Sequence, residues 1–210
     1  MHKYFKIFLF LVFLWGASYT ASTFLFSDSG YAPGNEIVVI PVEGALTLKG
    51  GGSLFSSSSS GEAIAERIEI ANTDASVKGI VLEINSPGGT VMGSKVVVDA
   101  LKKVDKPVVA VITESGASGA YWVASQADYI FADELSLVGS ISVLGSYLEF
   151  DELLDDYNVT YQRLVTGEYK DISTPYKEMT EEEQVLVMQR LQTIHEYFVS
   201  DVALGRGMEV

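Results

Sequence analysis

The 210-residue chain contains no cysteine. Disulfides, thiol nucleophiles and thiolate zinc sites are therefore excluded together, although the compartment is not identified. Histidine is almost as scarce: His2 and His195 stand far apart and without supporting ligands, so neither a metal nor a cofactor is expected. Positive charge is sparse, with 14 Lys and Arg against 28 Asp and Glu, a net charge of −14. Ten acidic side chains fall between Asp151 and Glu183. A surface of that sign repels phosphate, which argues against nucleic acid as a partner and fits a solvated outer face.

Charge is missing altogether from IFLFLVFLWGASYTASTFLFS, Ile7–Ser27. As a helix rising 1.5 Å per residue, this stretch is roughly 30 Å long, about one hydrocarbon core. Lys3 and Lys6 precede it and Asp28 follows, which by the positive-inside bias keeps the N-terminus cytoplasmic and places the remainder outside. A cleaved secretory signal is the alternative, but its small-residue pairs are poor: Tyr19/Ala21 puts an aromatic at −3, and Ala21/Thr23 is weak. The expected organisation is a single-pass membrane anchor over 1–27, touching lipid through 7–27, a linker over 28–35, and one domain over 36–210 on the outer side of the cell membrane.

Within that domain, β-branched runs alternate with helical spacing. EIVVIPV (36–42), KGIVLEIN (78–85), KPVVAVIT (106–113), DYIFAD (128–133), LVGSISVL (137–144) and VTYQRLV (159–165) read as strands. EAIAERIEIAN (62–72), GSKVVVDALKKV (93–104), SGAYWVASQA (118–127) and FDELLDDY (150–157) read as helices. A long amphipathic helix over 180–203 opens with Thr180 and Glu183, a capping box. The Gly/Ser tract at 50–61 reads as a flexible loop. Such alternation predicts an α/β fold with a largely parallel sheet covered by helices.

ITESGASGAYWVASQAD (112–128) holds three serines. Ser118 sits where strand gives way to helix, between Gly116 and Gly119, so the backbone can turn sharply and present its hydroxyl at the sheet edge. The helix start also offers free N–H groups to a developing oxyanion. Ser115 is too close to the strand, and Ser125 lies inside the helix. Small residues at such a junction also serve tight packing. INSPGGTV (84–91) follows another strand, and its Gly88–Gly89 pair permits unusual backbone geometry. One N–H from Gly89 and one from Gly119 would make a two-donor oxyanion hole, although a simple loop is the alternative.

A nucleophilic serine needs a base. His195 falls mid-helix with Met188, Leu191, Phe198 and Val199 around it, the setting of a packed core histidine. An α/β-hydrolase would carry its histidine on a loop, and would have Gly rather than Ala at position 120. Lysine remains, at a cost of roughly 4 kcal/mol to bring its pKa of about 10.4 down by three units. Of ten lysines, Lys170 in VTGEYKDIS stands out, following a strand and a glycine.

GIVLEINSPGGTV, ESGASGAYWVASQAD, GSISVLG and TGEYKD together resemble, in order and spacing, the signal peptide peptidase A group of peptidase family S49, a branch of the Clp-protease/crotonase superfamily. The resemblance covers about Glu36–Gly207. It implies repeated ββα units, Ser118 as nucleophile, Lys170 as general base, Gly89 and Gly119 as oxyanion donors, and Gly88 and Ser140 lining the site. Ser140 would orient the lysine amine. It further implies a membrane-anchored serine endopeptidase acting on apolar peptides such as signal-peptide remnants, with activity rising with pH as the lysine deprotonates. A homo-oligomeric ring is implied as well, with serine and lysine supplied by neighbouring protomers in half-length members. Family domains usually continue past the equivalent of Val210. Three other readings share the architecture: a stomatin-processing membrane protease of the same family, a catalytically silent scaffold, and a crotonase-type acyl-CoA enzyme.

Overall fold

The Val- and Ile-rich runs assemble a five-stranded sheet, seen in a computed structural model that describes residues 34–53 and 56–210 together with Val12 and Trp15, both helical. Those two positions apart, the expected anchor over 7–27 lies outside the described residues. Among the described residues no helix is long and apolar enough to cross a membrane. Residues 36–210 form one unit of their own.

The sheet is parallel throughout. Strands β1 (Glu36–Glu43), β5 (Val77–Ser86), β6 (Val108–Ala117) and β7 (Tyr129–Ala132) lie side by side in the order β1-β5-β6-β7. A short strand, β8 (Leu137–Gly139), pairs with the last residues of β6 beyond the end of β7. Alternation along the strands sorts the side chains by face. Ile40 and Val42 of β1, Ile80, Leu82 and Ile84 of β5, and Ala110 and Ile112 of β6 are buried. Against them pack Ile64 and Ile68 of α1 (Gly61–Thr73), Val97 and Val98 of α2 (Val91–Leu101), and Val123 of α3 (Gly119–Ala124). On the opposite face, the in-register row Val39, Val81, Val109 and Tyr129 is not buried.

A second, three-stranded sheet revises the loop expected over 50–61. There β3 (Gly51–Ser53) and β4 (Ser56–Ser60) pair antiparallel, and β4 pairs parallel with β2 (Ala45–Thr47). Serine serves here because its hydroxyl bonds neighbouring backbone: Ser58 Oγ donates to the Gly51 carbonyl at 2.6 Å, and Ser60 Oγ caps α1 by accepting from Ala63 N–H at 3.1 Å. Two further expectations are corrected. No strand forms over 159–165, where Asn158 turns the chain at φ 55° and Arg163 is tied instead to a following turn. The strand expected over 137–144 stops at Gly139, because Ser140 at φ 56° bends the chain out of the ladder.

After α4 (Asp151–Asp156) the chain reaches α5 (Glu181–Arg206), which opens with the expected capping box. Glu183 N–H donates to Thr180 Oγ1 at 3.2 Å, and Thr180 N–H to Glu183 Oε2 at 3.0 Å. Phe198 stacks on Trp122 with ring centroids 5.0 Å apart, which seats α5 against α3.

Candidate active site

Parallel strands deliver their loops to one sheet edge, the edge where open α/β sheets place their ligands. Two of those loops meet here. β6 ends at Ala117 and α3 begins at Gly119, leaving Ser118 alone to make the turn at φ 51°, ψ −126°. A non-glycine residue in this region costs of order 1–3 kcal/mol and persists only where its surroundings hold it. The hold is visible: Ser118 N–H donates to the Gly139 carbonyl at 2.8 Å, continuing the β6–β8 ladder, and the Ser118 carbonyl accepts from Trp122 N–H at 3.0 Å. Among the described residues its hydroxyl makes no hydrogen bond, capping or otherwise.

The second loop, Pro87–Thr90, is pinned from two sides. Ser86, fully buried, accepts from Gly88 N–H at 3.1 Å and donates to the Gly44 carbonyl at 2.6 Å. From β2, Leu46 N–H donates to the Gly88 carbonyl and the Leu46 carbonyl accepts from Thr90 N–H, both at 2.8 Å. The two glycines are needed for different reasons. Gly88 lies at φ 96°, open to glycine. Gly89 has no unusual φ, but a β-carbon there would sit 1.9 Å from the Leu46 carbonyl oxygen. A β-carbon on Gly88 would likewise meet Gly119 N at 2.8 Å and Ser118 Cβ at 2.9 Å, so the glycine loop lies directly against the serine turn. Among the described residues, the N–H groups of Gly89 and Gly119 donate to no acceptor.

Both loops open on a cavity of about 250 Å³. Ser118, Gly119 and Gly89 form its polar floor with Thr90 and Ser94, while Trp122, Val143, Leu144, Ile194 and Phe198 supply apolar walls. Among the described residues, no ionisable side chain lines it. Trp122 is fixed from behind, donating its indole N–H to Asp201 at 3.0 Å, and Asp201 pairs with Lys102 at 2.6 Å. Sequence reasoning missed Ser94, Ser142 and the α5 contribution. Ser94 and Ser142 carry no motif of their own, and Ile194 and Phe198 read simply as one face of an amphipathic helix.

The structure brings Ser118, Gly88, Gly89 and Gly119 together. Lys170 is not among the lining residues; it stands exposed on a turn, its N–H donating to the Gly167 carbonyl at 3.2 Å. That turn is held by Arg163, which donates to both carboxylate oxygens of Asp171 at 2.8 Å and to the Glu168 carbonyl at 2.9 Å. The guanidinium holds the Asp171 carboxyl below the usual aspartate range. Ser140 is exposed, and its neighbour Ser142 lines the cavity in its stead. His195 is exposed rather than packed in the core, with Nε2 3.3 Å from the Ile141 carbonyl. The buried side chains of α5 are Glu183 near its start and Phe198, Val202 and Ala203 toward its end, and His195 falls between the two groups.

A serine held at φ 51° at a strand–helix junction, beside the unpaired N–H groups of Gly89 and Gly119, has the form of a serine nucleophile's turn on an α/β sheet. The comparisons point the same way. The model of peptidase family S49 matches residues 100–210, and that of Clp protease matches residues 54–131. The chain belongs to peptidase family S49. It is 32% identical over 182 residues to a protein of Enterococcus faecium named as a signal peptide peptidase SppA, covering 85% of this chain and 53% of that one. Protease 4 of Salmonella typhi is 32% identical over 176 residues, 82% of this chain and 28% of its own. The chain thus spans about half the length, or less, of these curated relatives. Among solved structures, a ClpP1 mutant from Listeria monocytogenes matches with a TM-score of 0.50, over 81% of this chain and 73% of that one. At 15% identity that likeness speaks for the fold alone.

Proposed function

We propose that the protein is a membrane-anchored serine endopeptidase that cuts apolar peptides, such as signal-peptide remnants, through a Ser118–Lys170 dyad. The observation that carries this reading is the bare pair of N–H groups, Gly89 and Gly119, beside a serine strained to φ 51°. Ser118 Oγ adds to the scissile carbonyl carbon and gives its proton to the Lys170 amine. The carbonyl oxygen takes the negative charge against the two N–H donors, worth several kcal/mol when preorganised. The intermediate collapses to an acyl-serine as the leaving amine takes the proton, and water then releases the acyl group by the same route. Uncharged walls of Trp122, Val143, Leu144, Ile194 and Phe198 favour an apolar side chain beside the cut. Residues 7–27 would hold the domain at the outer membrane surface, where such peptides lie.

Lys170 reaches Ser118 from a neighbouring copy in a homo-oligomeric ring. Its exposure on the Arg163-braced turn supports that reading, as does the run of exposed apolar side chains from Leu144 (86%) through Leu148 (70%) and Tyr157 (74%) to Leu164 (91%). Such a run on one segment suits a surface that another chain covers.

The test is intact-mass spectrometry after a serine-reactive fluorophosphonate, on wild type, Ser118→Ala and Lys170→Ala. One adduct on wild type and none on either variant is expected. An unlabelled wild type would support the silent scaffold of the same fold. Labelling that survives Lys170→Ala would remove lysine from the dyad.

A further inference from the structure

Ser94 takes no part in the mechanism above, yet it is 1% exposed and its Oγ has no hydrogen-bond partner among the described residues. A buried hydroxyl left unpaired costs about 1–3 kcal/mol. A helical serine ordinarily satisfies itself on the carbonyl one turn back. Here the Thr90 carbonyl accepts Ser94 N–H at 3.1 Å but makes no bond with the hydroxyl.

Where it turns is fixed by its neighbours. A β-carbon on Gly119 would lie 2.0 Å from Ser94 Oγ and 3.6 Å from Gly89 N. The hydroxyl therefore fills the space that any side chain at 119 would take, a space that borders Gly89 N, and Ser94 lines the same cavity as Ser118. Glycine at 119 thus has a second reason: it makes room for a hydroxyl delivered by another helix.

We propose that Ser94 is a third donor of the oxyanion hole, a deepening that rests on the serine-peptidase reading. As Ser118 Oγ adds to the peptide carbonyl, the O–H of Ser94 donates to the oxygen that gains the charge. Its proton stays on Ser94, and no bond to it forms or breaks. The missing partner of the buried hydroxyl is the substrate itself, and its pairing is strongest in the transition state, where it accelerates the chemical step.

The full-length protein, as wild type and as Ser94→Ala, is reacted with a fluorophosphonate whose phosphoryl oxygen enters the oxyanion hole. Maximal inactivation rate and half-saturating concentration are read separately, alongside thermal melting. The expected result is a maximal rate lower by roughly tenfold to a hundredfold in Ser94→Ala, with unchanged half-saturation and a Tm equal to or above wild type. Equal rates on a wild type that labels would overturn this inference and leave the peptidase reading standing. A loss confined to half-saturation, or one accompanied by a Tm more than about 4 °C lower, assigns Ser94 to binding or packing and overturns it too. A wild type that takes no label overturns both.

Discussion

The backbone at Ser118 can be weighed directly by comparing Ser118→Gly with Ser118→Ala. Both remove the hydroxyl, which makes no capping bond, so neither loses one. They differ in how they bear φ 51°, ψ −126°. Alanine keeps the strain of about 1–3 kcal/mol that any β-carbon meets there. Glycine sheds most of it but surrenders roughly 0.5–1 kcal/mol of unfolded-chain entropy. Taking the middle of each range, the balance favours Ser118→Gly by about 1 kcal/mol, or about 2–4 °C in Tm for a domain of this size. Differential scanning calorimetry on the two variants reads the difference, and neither can digest itself during the scan. Both should take no fluorophosphonate label. A Ser118→Gly protein that melts at or below Ser118→Ala would show the turn to be unstrained, and the argument that the fold forces the hydroxyl into the open would fail.

Gly89→Ala puts a β-carbon 1.9 Å from the Leu46 carbonyl oxygen and forces β2 off the glycine loop. It should lower stability by about 3 kcal/mol or more and abolish labelling, whereas a soluble, fully reactive variant would refute the steric reading. Arg163→Lys keeps the charge but cannot fork across both Asp171 oxygens, so the turn carrying Lys170 loosens. Labelling should slow several-fold while Tm moves by less than about 3 °C, since exposed pairs add little stability; an unchanged rate separates that turn from catalysis. Glu183 is held below the usual glutamate range by its bonds to Lys177, at 2.7 and 2.8 Å, and to Thr180 N–H. A carboxylate with a depressed folded pKa stabilises the fold above its unfolded value and loses that contribution as pH falls through the folded one. Melting between about pH 5 and 3 should therefore fall less steeply in Glu183→Gln, with Asp171 and Asp74, shifted the same way, supplying slope that remains. Parallel slopes in the two proteins would remove Glu183 from the acid response.

Local signals carried most of the fold. The parallel sheet, α1 to α3 and the capping box at Thr180 all follow from periodicity and cap chemistry inside short windows. The failures share a cause: what a segment becomes depends on what lies across from it rather than on its own pattern. The serine tract at 56–60 has no apolar pattern and becomes strand only because β2 and β3 offer it ladders. VTYQRLV has good strand composition, yet no described strand pairs with it. His195 looked like core because its helix neighbours are apolar, but burial depends on what lies across from a helix, and nothing in the sequence states that.

The same distinction divides the site. The grouping of Ser118, Gly88, Gly89 and Gly119 was legible because each depends on its own backbone, through a turn, an unpaired N–H or a close approach. Ser94 was not, because its significance lies wholly in facing Gly119 from another helix. Lys170 is the opposite case: its local sequence singled it out and the resemblance made it the expected base, while a single chain leaves it on an exposed, braced turn away from the cavity lining. If the dyad closes between copies, dilution below the assembly concentration should abolish labelling of Ser118 while leaving the turn, the glycine loop and the Tm of the protomer largely intact. Mixing Ser118→Ala with Lys170→Ala should then restore one adduct on the chain that keeps its serine. Labelling that is independent of concentration, with no rescue on mixing, would place the base within the protomer and require the turn at Lys170 to move to the serine.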